Sequence, residues 1–124
     1  MHQYKELKIW QKAIAFVSDI YKVTSIFPDK EKFNLISQIN RAAVSIPSNI
    51  AEGAGRNSKK EFIQFLAIAH GSTYEVETQL IISKNLGYIL LGYILEEDLV
   101  IILEKLSELQ KMNYSFQQKL KSNY

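Results

Sequence analysis

Four polar side chains at helical spacing, Arg41, Ser45, Asn49 and Glu52, form the most chemically capable group in the sequence. At about 3.6 residues per turn they share one face, beside the apolar row Ala42, Ile46 and Ile50. Such a seam could bind a ligand or partner, or it could be a buried network that sets the register of neighbouring helices. A buried Arg or Glu is costly unless paired, so we read the seam as a structural network. Ser72, Glu75 and Gln79, on one side of a later helical segment, are placed to answer it, with Glu75 as the partner of Arg41.

Other chemistry is sparse. The only histidines are His2 and His70, and no Glu-x-x-His pair of the kind that builds di-iron sites in helical bundles occurs. His70 is expected to be a partly buried hydrogen-bonding residue. The absence of cysteine removes disulfides, thiolate metal sites and a cysteine nucleophile, and fits a reducing cytoplasm. Serines are plentiful, yet His70 alone could serve them as base, so no nucleophile arrangement stands out. Gly53-Ala54-Gly55-Arg56 is not a phosphate-binding loop of the Gly-x4-Gly-Lys type and reads as a turn. Its backbone N–H groups, together with Arg56, Lys59 and Lys60, could hold one phosphate of an RNA backbone. Lys5, Lys8 and Lys12 form a second basic group. No catalytic residue, cofactor, metal or small-molecule substrate is expected, and an enzyme is disfavoured.

The elements that must carry these residues are helical. Trp10, Ala13, Ile14, Val17, Ile20, Tyr21 and Thr24 recur every three or four residues, predicting an amphipathic helix over about 4–26. Phe27-Pro28-Asp29 ends it, and Asp29 is the expected N-cap of a second helix to about Glu52, with Pro28 stapled onto Phe33 and with Gly53 and Gly55 as terminators. Pro47 within that helix predicts a kink beside Ala43. Ser58 followed by Glu61 matches a capping box and opens a third helix over about 58–86, closed by Gly87. Tyr88 to Leu95 is unusually apolar for a connection, so something should cover it. The last helix begins with Glu96, Glu97 and Asp98, ends with Lys119 and Lys121, and turns inward Leu99, Ile102, Leu103, Leu106, Leu109, Phe116 and Leu120. Four helices joined by short turns predict an all-α, antiparallel up-and-down four-helix bundle in a single domain over 1–124.

With 15 Lys and Arg against 13 Asp and Glu, the net charge is only +2, which permits RNA binding without arguing for it. No signal-peptide core and no stretch of about 20 apolar residues occurs, so a cytoplasmic protein without membrane contact is expected.

Leu7-x2-Trp10-x2-Ala13, Phe27-Pro28 before Glu31, and Gln38-x2-Arg41-Ala42-Ala43-x-Ser45-Ile46-x-Ser48-Asn49-Ile50-Ala51-Glu52-Gly53 form a long pattern. It continues through Glu61-Phe62-x2-Phe65-Leu66-x-Ile68-Ala69-x-Gly71-Ser72-x2-Glu75 and Leu86-Gly87-Tyr88. This pattern resembles the bacterial four-helix-bundle family of 23S rRNA intervening-sequence proteins over nearly the whole chain. The resemblance implies an up-and-down bundle assembled as a homopentamer. It also implies kinship with accessory proteins of diversity-generating retroelements, which bind nucleic acid and a reverse transcriptase through a basic barrel surface. Many members of the family are encoded within insertions in large-subunit ribosomal RNA genes, and no reaction is implied. The expected partners are therefore further copies of the chain and structured RNA or a reverse-transcriptase-like protein, met by Arg56, Lys59 and Lys60 first. The rival expectation is a purely structural or protein-interaction oligomer that docks through Leu90, Leu91, Tyr93 and Ile94.

Overall fold

The computed structural model describes residues 3–122, and His2 lies outside them. Its four long helices are α1 (Lys8–Thr24), α2 (Leu35–Ala54), α3 (Lys59–Asn85) and α4 (Glu96–Ser122). Among the described residues there is no strand. Helix α1 packs on α2 and α4, and α3 packs on α2 and α4, so α1 and α3 stand at diagonal corners. The pairs Lys12–Glu108 and Asp19–Lys105 run in opposite senses along α1 and α4, as antiparallel neighbours must. Ala13, Phe16, Ile20, Ile39, Ile46, Ile50, Leu66, Val76, Leu80 and Leu106 fill the shared core.

The helix ends follow local chemistry. Ser58 accepts a hydrogen bond from the Glu61 backbone N–H at 3.1 Å, and its hydroxyl lies 3.4 Å from the Glu61 carboxylate, which caps α3. At the other end Gly87 sits at φ +84°, where the left-handed conformation favours glycine. Gly87 N–H then bonds Lys84 C=O and Tyr88 N–H bonds Ser83 C=O, and these two bonds satisfy the end of α3.

Several boundaries differ from the sequence expectation. Residues Tyr4–Glu6 and Asp29–Glu31 form separate 3-10 turns, so α1 and α2 start later than periodicity predicts. Asp29 makes no side-chain cap bond, and Phe33 is 84% exposed, so the staple to Pro28 does not form. The chain turns at residues 32–34 and throws the Phe33 ring outward. Gly53 is not a terminator. It lies inside α2, where a Cβ would meet Phe65 Cβ at 2.6 Å and Phe62 Cδ1 at 3.0 Å, so glycine is there to let α3 approach. Helix α2 continues through Pro47, whose ring is buried.

The connection over residues 86–95 is partly covered from within the chain. Tyr88 and Ile94 are buried, Tyr88 donates a 2.5 Å hydrogen bond to Glu31, and its ring meets Phe27 and Tyr93 edge-on. Leu90, at 93% exposed, and Leu91 project from this support into solvent.

Candidate nucleic-acid interface and the polar seam

The up-and-down topology gathers the start of α1, the end of α2, the start of α3 and the end of α4 at one end of the bundle. That places Lys5, Lys8, Arg56, Lys59, Lys60, Lys119 and Lys121 on the same end, all exposed. Arg56 is the best-positioned of them. Its guanidinium lies 4.7 Å from the centre of the Phe65 ring, between Glu52 at 3.8 Å and Glu61 at 3.7 Å. The ring fixes the arginine plane by a cation–π contact, while two exposed and loosely spaced carboxylates hold it weakly. Lys5 leans on the Tyr4 ring at 5.9 Å, and Lys8 borders a groove with Phe116 and Lys119.

Lysines in the first turns of α1 and α3 run against the helix dipole, which favours acidic groups there. Lys8 at the start of α1, with no acidic residue in that turn, gains nothing in helix stability from its position. Lys59 and Lys60 share the first turn of α3 with only Glu61 as counterweight. The arrangement suits an anion such as a phosphate, which two helix N-termini and several cations would attract together. Lys12 is different. One turn further along α1, its ammonium lies 2.7 Å from Glu108, so the structure does not bring it into the basic end.

The seam is only partly what the sequence predicts. Ser45 and Ser72 hydroxyls meet at 2.9 Å across α2 and α3, and Asn49 Nδ2 donates to Ser45 Oγ at 2.9 Å and to Ser45 C=O at 2.8 Å. Ser72 also donates to Ile68 C=O at 3.2 Å. These three side chains make a compact, half-buried polar joint between the two most closely packed helices. Arg41 and Glu75 do not belong to it: both are exposed, and no ion pair joins them. Long charged side chains at the edge of a helix face reach water along their own stems, so neither needs the other to remain ionised. Glu52 is also exposed and faces Arg56, outside the joint.

One buried polar position carries more of the structure than spacing suggested, and one expected polar contact does not form. Asn113 is fully buried in α4, donates to Leu66 C=O at 2.9 Å and accepts from Gln117 at 2.6 Å. It falls in the inward row between Leu109 and Phe116, so a polar residue at an apolar position was the available signal. His70 is half-buried and meets the Tyr74 ring edge-on at 5.2 Å, but its Nδ1 has no hydrogen-bond partner among the described residues. It is therefore not the hydrogen-bonding residue expected, and burial pushes its pKa below the usual histidine value. Among the described residues no cluster of three His, Asp or Glu side chains could hold a metal ion. No helix among them is long and apolar enough to cross a membrane.

This geometry defines an all-α four-helix bundle with one basic end and a polar α2–α3 joint. The chain belongs to the family described as 23S rRNA-intervening sequence protein, whose sequence pattern matches residues 5–115. Among solved structures it is similar to a protein of unknown function from the S23 ribosomal protein family of Bacteroides thetaiotaomicron, with 27% identity and a TM-score of 0.75. That likeness covers 88% of this chain and 97% of the other. No curated protein matches.

Proposed function

We propose that the protein is a non-enzymatic cytoplasmic homo-oligomer, a pentamer by the family resemblance, that binds structured RNA through its basic end. The observation carrying this reading is that Arg56, Lys59, Lys60, Lys5 and Lys8 share one end of the bundle, where lysines stand at two helix starts that the dipole would fill with acids. Positive groups placed against the helix dipole have a use outside the fold, and phosphate is the anion that such a surface meets most strongly. The family description, which names an intervening sequence of 23S rRNA, supports the same ligand class. In an oligomer the weak basic surface is repeated, and several modest sites acting together bind far more tightly than one. That answers the low net charge of +2.

A second reading, a purely structural or protein-interaction oligomer, keeps Leu90 and Leu91 of its expected patch exposed, with Ile94 buried and Tyr93 half-buried beneath them and Phe33 and Leu95 exposed at the same end instead. Native mass spectrometry of protein purified from its own cells, with and without nuclease, separates the two. The proposal expects several chains carrying nuclease-sensitive mass. A bare oligomer in both samples would favour the second reading, and a monomer would contradict the assembly itself.

A further inference from the structure

Helices α1 and α4 leave an open seam between them, and its character changes along its length. Toward the 86–95 connection and at mid-length its hollows mix both signs of charge, Asp19, Lys22, Asp98 and Lys105 around one, Lys12 and Glu108 with Asp19 and Lys105 around the next. The ion pairs Lys12–Glu108 and Asp19–Lys105 cross the seam there, each at 2.7 Å. At the basic end the seam opens into a groove of about 330 Å³ with a different lining. Leu7, Ile9, Met112 and Phe116 make its apolar walls, and the charges on it are Lys8 and Lys119. No carboxylate lines it, and Glu6, two residues before Lys8, stands outside. Among the described residues neither lysine is in an ion pair.

The groove shows a flat apolar surface that the core holds in place. The Phe116 ring meets Phe62 edge-on at 5.4 Å, and Phe62 is buried against Gly53, so the half-buried Phe116 is fixed from behind. Met112 adds a polarisable thioether, and Ser115, exposed at the edge, adds one hydroxyl.

Such a lining asks for a ligand that is flat and apolar in the middle and anionic on both sides. A peptide helix laid along the seam would run into the Lys12–Glu108 pair one turn beyond Lys8. An acyl chain in so open a groove would stay half in water, whereas ligand sites bury most of what they hold. An unpaired nucleotide meets the description: the base offers a π-face to Phe116, and the phosphates on either side of it meet Lys8 and Lys119. The same strand can then continue over Lys5, Arg56, Lys59 and Lys60. A base within a duplex cannot enter, because its faces are covered by its stacked neighbours.

Resting on the RNA reading proposed above, we infer that the α1–α4 groove takes a single unpaired nucleobase, stacked on Phe116 beside Leu7 and Met112, with Lys8 and Lys119 on its flanking phosphates. The basic end then does more than hold phosphates. It distinguishes RNA carrying a bulged or looped-out nucleotide from a plain duplex, with little choice among bases, since every base has a π-face and Ser115 alone can read an edge.

The test compares two RNAs with the full chain, a short blunt duplex and the same duplex with one bulged adenosine, by fluorescence anisotropy at one salt concentration. Wild type should bind the bulged RNA at least about tenfold more tightly. Phe116→Leu, which stays apolar but lacks the flat ring, and Ser115→Glu, which sets a negative charge at the mouth of the groove, should each bring that ratio close to one. Circular dichroism checks folding, and Ser115→Glu, altered at an exposed position, keeps the inference testable if Phe116→Leu folds poorly. Equal affinity of wild type for the two RNAs, or a ratio that either folded variant leaves unchanged, would overturn the groove assignment and leave the basic end standing as an interface. If Ser115→Glu instead keeps the ratio and lowers the oligomer mass read by light scattering, the groove belongs to a neighbouring copy and the inference falls. Failure of wild type to bind either RNA would overturn both the inference and the reading beneath it.

Discussion

The two ends of the bundle are finished in opposite ways. At the end holding Arg56, the structural work is done beneath the surface, by Gly53 admitting Phe62 and Phe65, and the surface carries mostly cations, with Glu6, Glu52 and Glu61 among them. At the other end the 86–95 connection is held by a buried clasp of Tyr88, Glu31, Phe27 and Tyr93, and the surface is apolar, with Leu90 and Phe33 outermost. One end thus separates its stabilising contacts from its charged display. The other builds its display directly on its stabilising clasp. The difference teaches that the basic side chains lie outside the buried core, although Arg56 rests on the Phe65 ring and Lys5 on Tyr4, so the proposed interface can be altered with little change to the packing of the core itself.

The comparison breaks most severely at Gly53. Gly53→Ala would place a methyl group 2.6 Å from Phe65 Cβ, an atom fixed to the α3 backbone that cannot swing aside. Overpacking of this kind costs about 1–3 kcal/mol, and the gain in helix propensity returns less than about 1 kcal/mol. The expected result in urea unfolding is a net loss of about 1–2 kcal/mol together with a displaced Arg56. Unchanged stability would mean that α2 and α3 separate more easily than their packing implies.

A smaller effect is expected at the clasp. Tyr88→Phe removes the hydrogen bond to Glu31 and should cost about 1 kcal/mol, at the low end for a charged acceptor because Glu31 is only half-buried. In the folded chain the hydrogen bond to Glu31, then burial and the nearby negative charge, push the Tyr88 pKa up to about 12 from 10.0. A raised pKa means that folding favours the protonated phenol. Its contribution is therefore full below pH 10.0 and is lost as the pH rises toward about 12. Spectrophotometric titration should contain a tyrosine step near pH 12 that Tyr88→Phe lacks, and a titration identical in both proteins would dissolve the clasp.

Much of the fold is legible in the sequence, because helical periodicity, the Ser58–Glu61 cap and Gly87 are local signals that the structure uses directly. The failures share a cause. Periodicity tells which face of a helix a residue is on, but not what stands opposite or how far a long side chain reaches. Arg41 and Glu75 lie on the seam by spacing and still end in solvent, while Ser45, Asn49 and Ser72, with short side chains, close the joint. Asn113 occupies an inward position that only its buried bond to the Leu66 carbonyl explains. Lys12 differs from Lys8 through Glu108, a residue 96 positions away in the chain that no spacing on the first helix could reveal. The basic end itself was foreseeable as two groups of cations, but their convergence depends on the antiparallel topology.

The most direct test of the central claim is the affinity of the full chain for a labelled structured RNA hairpin, followed by fluorescence anisotropy across a salt series. Reversing Arg56, Lys59 and Lys60 together to glutamate should abolish measurable binding, with helicity and oligomer mass unchanged. Neutralising them one at a time should flatten the log–log salt dependence by about 0.7–0.9 for each phosphate that the protein no longer neutralises. RNA affinity that survives the triple reversal undiminished would contradict the assignment of this end as the interface.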